Sequence, residues 1–289
     1  MVSDRSEEPN RTLPEVDGGN IMVIIGLGKA GCAVAKLFKQ HKTYQVVLLD
    51  EGKGIKKCNT VEGYDEIEYS PPKTWLKKHS EALVITCGSG KVSGAILRVL
   101  EPLKSLRTTV CYIVPELDYL SSDAKKRNRV HFNVLQEFTR SGMIDELVLF
   151  DNDLALENFG HGSVKDYYDK INHYYYSAIH MNNFCKNVDP VFGEHHTPKE
   201  ISRITTLGMG FIGGNEEKLL FSLDNITETC YIINVSDEDL NTNDDLIPSI
   251  KELASINKEK ERETSFAVYE TPHDTHFYVK HFTHFLQEK

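Results

Sequence analysis

No run of apolar residues in this 289-residue sequence approaches the roughly 20 needed to cross a bilayer, which argues against an integral membrane protein. There is no C-x-x-C pair. The six cysteines, Cys32, Cys58, Cys87, Cys111, Cys185 and Cys230, are scattered without zinc-site spacing. Several lie in apolar runs, where a reduced thiol acts as a small hydrophobe, so a reducing, cytoplasmic setting is expected. Cationic side chains are in deficit: 33 Lys and Arg against 43 Asp and Glu leave a net charge of −10. That excludes a surface built to coat nucleic acid, which needs basic groups to neutralise phosphates. The local basic group Lys125, Lys126, Arg127 and Arg129 reads most simply as a solvated helix face, and the charge run 258–263 as a solvated helix end or loop. The first residues lack the basic start and apolar middle of a signal peptide, and residues 1–19 are expected to form a flexible tail. His273, His276, His281 and His284 have no carboxylate or cysteine partners at ligand spacing, so no metal site is expected there.

Against these absences stands the stretch Ile21–Cys32, five apolar residues running straight into a glycine turn. An unbroken apolar run suits a strand buried on both faces, as in a parallel sheet covered by helices. In Gly26-Leu-Gly28-Lys29-Ala-Gly31, glycines permit backbone angles and close approaches that a Cβ forbids. A helix from Ala30 to about Gln40 would aim its positive dipole end at a phosphate held by that turn. The same arrangement recurs. Ala82–Thr86 leads into Cys87-Gly88-Ser89-Gly90-Lys91-Val92-Ser93-Gly94 and then a helical pattern over Ala95–Leu106. Two such units in register would converge on one polyphosphate from the ends of parallel strands.

The remaining pattern extends the alternation. Gln45–Asp50, Val110–Val114 and Leu147–Phe150 read as strands, Pro72–Ser80 as a short helix and Ser122–Ser141 as a longer one. An α/β doubly wound parallel sheet follows over residues 20–162. A long helix over 163–186 carries Tyr168, Ile171, Tyr175, Ile179 and Asn182 on one side. Residues 187–289 then read as a smaller α+β domain, with strands near 201–214, 230–235, 264–269 and 276–282 and a helix over Asp244–Ile256.

In order and kind, these motifs resemble the tubulin and FtsZ superfamily of polymerising GTPases, over residues 20 to 214. The resemblance implies that both glycine loops contact the phosphates of GTP or GDP. It places Arg129 at the family's nucleotide-contacting arginine and Asn152 at the asparagine that reads the guanine edge. Tyr168-Asp-Lys-Ile-Asn172-His173 is similar to the tubulin Y-x-x-x-N-H. Residues four apart share a helix face, so Tyr168 would stack on the base while Asn172 bonds its edge. Family hydrolysis takes place between subunits, which implies a longitudinal homopolymer with Mg²⁺ easing phosphate charge. Asn187-Val-Asp189 resembles the start of the catalytic N-x-D-x-x-[DE] loop.

The chain departs from that pattern in places. Lys91 and Val92 stand where the family has Thr and Gly, so the second loop is degenerate and its turn is expected to take another path. Phe192 replaces the second acid of the catalytic loop. An alternative alignment puts His195–Glu200 there, and the two alignments disagree about the base. Two rival functions therefore remain: a non-catalytic tubulin-like adaptor, and a NAD-dependent oxidoreductase using Gly26, Gly28, Gly31 and Asp50, the acid about 20 residues past the glycines.

Overall fold

The computed structural model describes residues 22–160, 163, 166–214, 216–256 and 262–288; the tail expected over 1–19 and most of the charge run lie outside them. The chain opens β1 (Met22–Leu27), α1 (Gly28–Leu37), β2 (Tyr44–Glu51), β3 (Gly54–Ile55), α2 (Lys73–Lys78) and β4 (Glu81–Cys87). It continues through α3 (Ile96–Leu100), β5 (Arg107–Val114), α4 (Ser122–Arg140), β6 (Glu146–Asp151), α5 (Asn152–Phe159) and α6 (Tyr167–Cys185). The second half comprises β7 (Phe192–Gly193), β8 (Ile204–Gly210), β9 (Lys218–Leu219), β10 (Glu228–Ser236), α7 (Asp237–Thr242), α8 (Leu246–Ile256), β11 (Glu263–Thr271) and β12 (His276–Thr283).

Among the described residues these strands form one sheet, ordered β3-β2-β1-β4-β5-β6-β8-β12-β10-β11-β7, with β9 paired to β8. The pairs from β2 through β1, β4, β5 and β6 to β8 are parallel, whereas β12 runs antiparallel to both β8 and β10. The strands of the first half are apolar without alternation because both faces are covered. Ile24, Leu83, Ile85 and Phe150 pack against α1 and α6 on one face. On the other, Val23, Ile25, Val84 and Tyr112 meet α3 and α4. Each such aliphatic side chain contributes roughly 1.5–3 kcal/mol by leaving water.

The helix expected over Ala95–Leu106 is broken into a 3-10 turn (Lys91–Ala95), α3 and a second 3-10 turn (Glu101–Leu103). Pro102 sits where the helix would have continued, lacking an N–H and clashing with the preceding turn. On α6 the expected face is buried at Ile171, Tyr175, Ile179 and Asn182, but Tyr168 is 58% exposed. Towards its end the helix is buried all round, over Met181–Cys185, because it passes between α1 and the second half of the sheet. There Tyr269 Oη donates to Cys185 O (3.0 Å), and Ser177 Oγ meets Tyr278 Oη at 2.7 Å.

The direction of α6 decides which of its residues stand at each end of the sheet. Its first turn lies at the C-terminal end of β5, where Tyr167 Oη donates to Glu116 Oε1 (2.9 Å). Its last turns lie at the strands' N-terminal ends. There His180 Nδ1 meets Tyr44 Oη (2.9 Å), Asn183 Nδ2 reaches Met22 Sδ (3.6 Å), and Lys186 just beyond pairs with Glu146 (3.6 Å). The helix therefore runs antiparallel to β1 and β6 and spans about 28 Å at 1.5 Å per residue.

The His180 ring is stacked on His41 at 4.0 Å. Burial, with His41 beside it, lowers its pKa from 6.5 to about 3. Between those values the unfolded chain binds more protons than the folded one, so stability falls as pH drops through that window. His41 and His195 are shifted in the same direction by burial. We expect the urea midpoint to decline from neutral pH to about pH 4, and less steeply in His180→Leu. Equal slopes would contradict a neutral, buried imidazole.

Candidate functional site

The C-terminal ends of β1, β4, β5 and β6 and the first turns of α6 gather at one end of the sheet, where open parallel α/β folds hold ligands in a crevice, and each part of that end is built by a different local device. At β1, Gly26 and Gly31 allow contact of backbone with backbone. A Cβ on Gly31 would lie 2.0 Å from Ile85 O, and one on Gly26 would lie 2.6 Å from Gly31 O. Gly28 starts α1 with φ +72°, a conformation that an L-residue adopts at a cost of about 1 kcal/mol. Lys29 is exposed in the first turn, and Cys32 Sγ donates to Gly26 O at 3.3 Å.

The second glycine loop turns without any left-handed residue; Gly90 has φ −68° and leads into the 3-10 turn that buries Val92 and Ser93. It is seated on α4. A Cβ at Gly88 would overlap Tyr112 Oη at 1.7 Å, and that hydroxyl donates to Asn128 Oδ1 (2.8 Å). The Gly88 carbonyl meets His131 Nδ1 (3.0 Å) and accepts from Ser93 Oγ (3.0 Å). The Ser89 carbonyl accepts from Arg127 Nη2 (3.2 Å), and the Gly90 carbonyl accepts from Ser93 Oγ. A trans peptide points its N–H opposite to its C=O. Holding these carbonyls therefore turns the N–H groups of Gly90 and Lys91 away from Arg127 and Ser93 respectively. Lys91 is exposed beside them, and Gly94 is packed on Asp65, whose Oδ1 would lie 2.1 Å from an added Cβ.

At β6, Asp151 caps α5 by accepting from Asp153 N (2.9 Å). Asn152 follows, and its Oδ1 accepts from Tyr175 Oη (2.9 Å), which leaves its NH₂ group to donate. Tyr175 is held by stacking on Phe150 at 4.7 Å. Tyr168 and Asn172 lie one turn apart on α6; Tyr168 is exposed, edge-on to Tyr167 at 4.9 Å, and Asn172 is half-buried. Burial, Glu116 and Cys87 all raise the Tyr168 pKa, so its phenol stays neutral.

Two groups of expected residues fall elsewhere. Arg129 is exposed on the outer face of α4, where it lines a shallow basic depression with Lys125 and Lys126. Arg127, missed from the sequence, is the arginine that reaches the second loop. The signal for it was the buried stripe Ala124, Asn128, Phe132, Leu135, which Arg127 and His131 flank. Asn187 and Asp189 are exposed just beyond the far end of α6, with Asn187 Nδ2 bonded to Asn183 O (2.8 Å). Within one chain they do not meet the glycine loops. Phe192 pairs in β7 against β11, and His195 Nδ1 meets Tyr269 Oη at 3.1 Å. Asp50, next to last in β2, lies beside the first loop, its Oδ1 accepting from Glu51 N (2.9 Å). No group of three metal-ligating side chains occurs among the described residues, and no helix among them is long and apolar enough to cross a membrane.

The glycines make separable demands. Gly31→Ala should lose about 3 kcal/mol through overpacking. Gly90→Ala, with open space around the added methyl and an ordinary φ, should change stability by less than about 1 kcal/mol. Chemical unfolding of both variants checks this, and equal losses would contradict the close approach of α1 to β4.

No protein-family model and no curated protein matches the sequence. Solved structures do. An empty FtsZ dimer from M. jannaschii is similar over 92% of this chain and 88% of its own, at 11% identity and a TM-score of 0.68. CetZ from Methanosaeta thermophila covers 92% and 87%, at 12% identity and 0.60. A GTPγS-form protofilament of TubZ from Bacillus thuringiensis serovar israelensis covers 92% and 86%, at 14% identity and 0.62. With its parallel sheet, its two glycine turns and the long helix between the halves, the chain has the fold of the tubulin/FtsZ superfamily.

Proposed function

We propose that the chain is a divergent tubulin-like protein that binds guanine nucleotide in this crevice and assembles head to tail with its own copies. In this reading Gly26, Gly28, Lys29 and Gly31 of the first loop and Gly88, Ser89, Gly90, Lys91, Ser93 and Gly94 of the second receive the phosphates. Arg127 holds the second loop from behind, while Arg129 stays on the outer face of α4. Tyr168 stacks on the base, while Asn152 and Asn172 bond its edge. Mg²⁺ accompanying GTP would be held mainly by phosphate oxygens and water, since no metal-ligating trio occurs among the described residues. Bound there, it would neutralise phosphate charge.

The observation that carries the proposal is the distance set by α6. Asn187 and Asp189 follow its last turn, about 28 Å from the crevice at its first, too far to act on nucleotide held by the same chain. A second copy stacked with its Asp189 end over the crevice completes the site. Asp189 would then accept a proton from water as that water's oxygen bonds to the γ-phosphorus and the bridging oxygen leaves with GDP. Such a contact does not close on itself and generates a filament. Exposed apolar side chains suit a contact at both ends. Tyr119, Tyr168 and Phe211 lie by the strands' C-terminal ends, and Ile201, Phe285 and Leu286 lie by the opposite ends. Among the similar structures are TubZ protofilaments and helical filaments.

The buried Val92 and the β7 pairing of Phe192 favour a second reading, a non-catalytic, non-polymerising adaptor that binds nucleotide weakly or not at all. The NAD reading draws on Asp50 beside the first loop but leaves the second loop, Tyr168 and Asn172 without a task.

Titrating the purified chain with GTP, ATP and NAD while measuring light scattering and phosphate release separates the three. GTP preference with rising scatter is expected, and then phosphate. GTP that neither binds nor raises scatter supports the adaptor, and NAD preference overturns the proposal. Tyr168→Ala should weaken GTP binding by about 1–3 kcal/mol, the worth of one base–aromatic stack. Unchanged affinity would remove Tyr168 from the site.

A further inference from the structure

A buried charge cluster lies behind the turn that carries Asp189, and a simple ion pair does not account for it. Glu146 opens β6 with its side chain only 11% exposed. Its Oε1 is 2.5 Å from Lys280 Nζ and accepts from Thr205 Oγ1 at 2.9 Å. Lys280, in the middle of β12, is 6% exposed and satisfies the carboxylate's charge by itself. Yet a second cation is present: Lys186 Nζ stands 3.6 Å from Glu146 Oε2, with 31% of its side chain exposed. Burial would raise the Glu146 pKa, but Lys280 first and then Lys186 hold it down to about 2, so the carboxylate is charged at any working pH. Lys280 is brought down to about 8 by burial, with Glu146 opposing that shift.

Lys186 is the residue between the last turn of α6 and Asn187-Val188-Asp189. Asn187 is bonded to the last turn of α6, N to Phe184 O (2.9 Å) and Nδ2 to Asn183 O (2.8 Å); beyond these, the Lys186–Glu146 pair lies on one side of Asp189, and on the other Val191 N donates to Val268 O at 2.7 Å. One end of the turn is thus fixed by a backbone bond to the sheet, and the other by bonds to the helix end, which Lys186 in turn ties to Glu146 in the core. The partly wet lysine adds little as a stability element. As an anchor it does more, because an ionised, desolvated carboxylate has a fixed position and attracts the ammonium strongly in its low-dielectric surroundings.

We propose that Glu146 is a positioning residue, acting through Lys186 to hold the Asn187–Asp189 turn where a neighbouring copy's nucleotide can use it. This role rests on Asp189 serving as the acid that acts on that nucleotide. Lys280 and Thr205 fix the carboxylate, the carboxylate fixes Lys186, and Lys186 fixes the turn.

Lys186→Met tests this without disturbing the core pair, and Lys186→Arg restores a cation at the same place. Four quantities are to be measured: thermal unfolding, GTP affinity, phosphate release per assembled subunit, and hydrogen exchange at the amides of residues 187–189. Lys186→Met should unfold, bind GTP and assemble like the parent, with faster exchange over 187–189. Its turnover should fall by about 100-fold, the loss expected for a misplacement of ~1 Å, and Lys186→Arg should recover most of it. Glu146→Gln, if it folds, should share the exchange and turnover defects. Unchanged exchange in Lys186→Met overturns the tether. Faster exchange with undiminished turnover overturns the positioning role. A parent that binds GTP but releases no phosphate overturns the hydrolytic reading, and the exchange data still decide whether Lys186 holds the turn.

Discussion

A 19-residue helix laid antiparallel against parallel strands is the constraint on which the rest of this structure depends. Parallel pairing gathers the C-terminal ends of β1, β4, β5 and β6 on one side of the molecule. The antiparallel course of α6 puts one of its ends there and the other, with Asp189, on the opposite side. Apolar contacts fix that course: Ile171, Tyr175, Ile179 and Phe184 pack against the face of the sheet that also carries Ile24 and Phe150. The division of the proposed site between two copies is a consequence of this packing, and no catalytic residue has to specify it.

The two glycine loops reach the same end by different physics. The first uses a positive φ at Gly28 and close backbone contact at Gly26 and Gly31, and it presents the start of a ten-residue helix. The second has Val92 where a left-handed turn would need glycine, and it uses side chains from α4 and its own Ser93 to pull three carbonyls inward. Those bonds leave the N–H groups of Gly90 and Lys91 facing away from Arg127 and Ser93. The cost is a dependence on Arg127, Asn128 and His131, which only the register of α4 distinguishes from their neighbours.

Much of this is legible in the sequence because it is local. Unbroken apolar runs ending in glycine mark the buried strands, and the alternation of strands and helices marks the parallel sheet. The order of two glycine loops, Asn152 and the Tyr168–Asn172 pair points to the fold that the similar structures share. Helical register across space is not legible. Choosing Arg127 over Arg129 required knowing which face of α4 meets β5, and that is set by Tyr112 seating on Asn128. Nor could the sequence pair Glu146 with Lys280 and Lys186, since two strands and a helix end bring them together only in the finished sheet. The break of the expected helix at Pro102 was readable from the proline and was outweighed by the apolar periodicity around it.

The measurement that bears most directly on a site shared between copies is phosphate release from a mixture of two variants, each inactive for a different reason. Asn172→Ala would lack base recognition but keep Asp189, whereas Asp189→Ala would bind GTP but lack the acid. Each should be nearly silent alone, and mixing them should restore turnover that rises with total protein concentration. A mixture as silent as its components, or an Asp189→Ala variant that turns over GTP at the parent rate, would contradict the account.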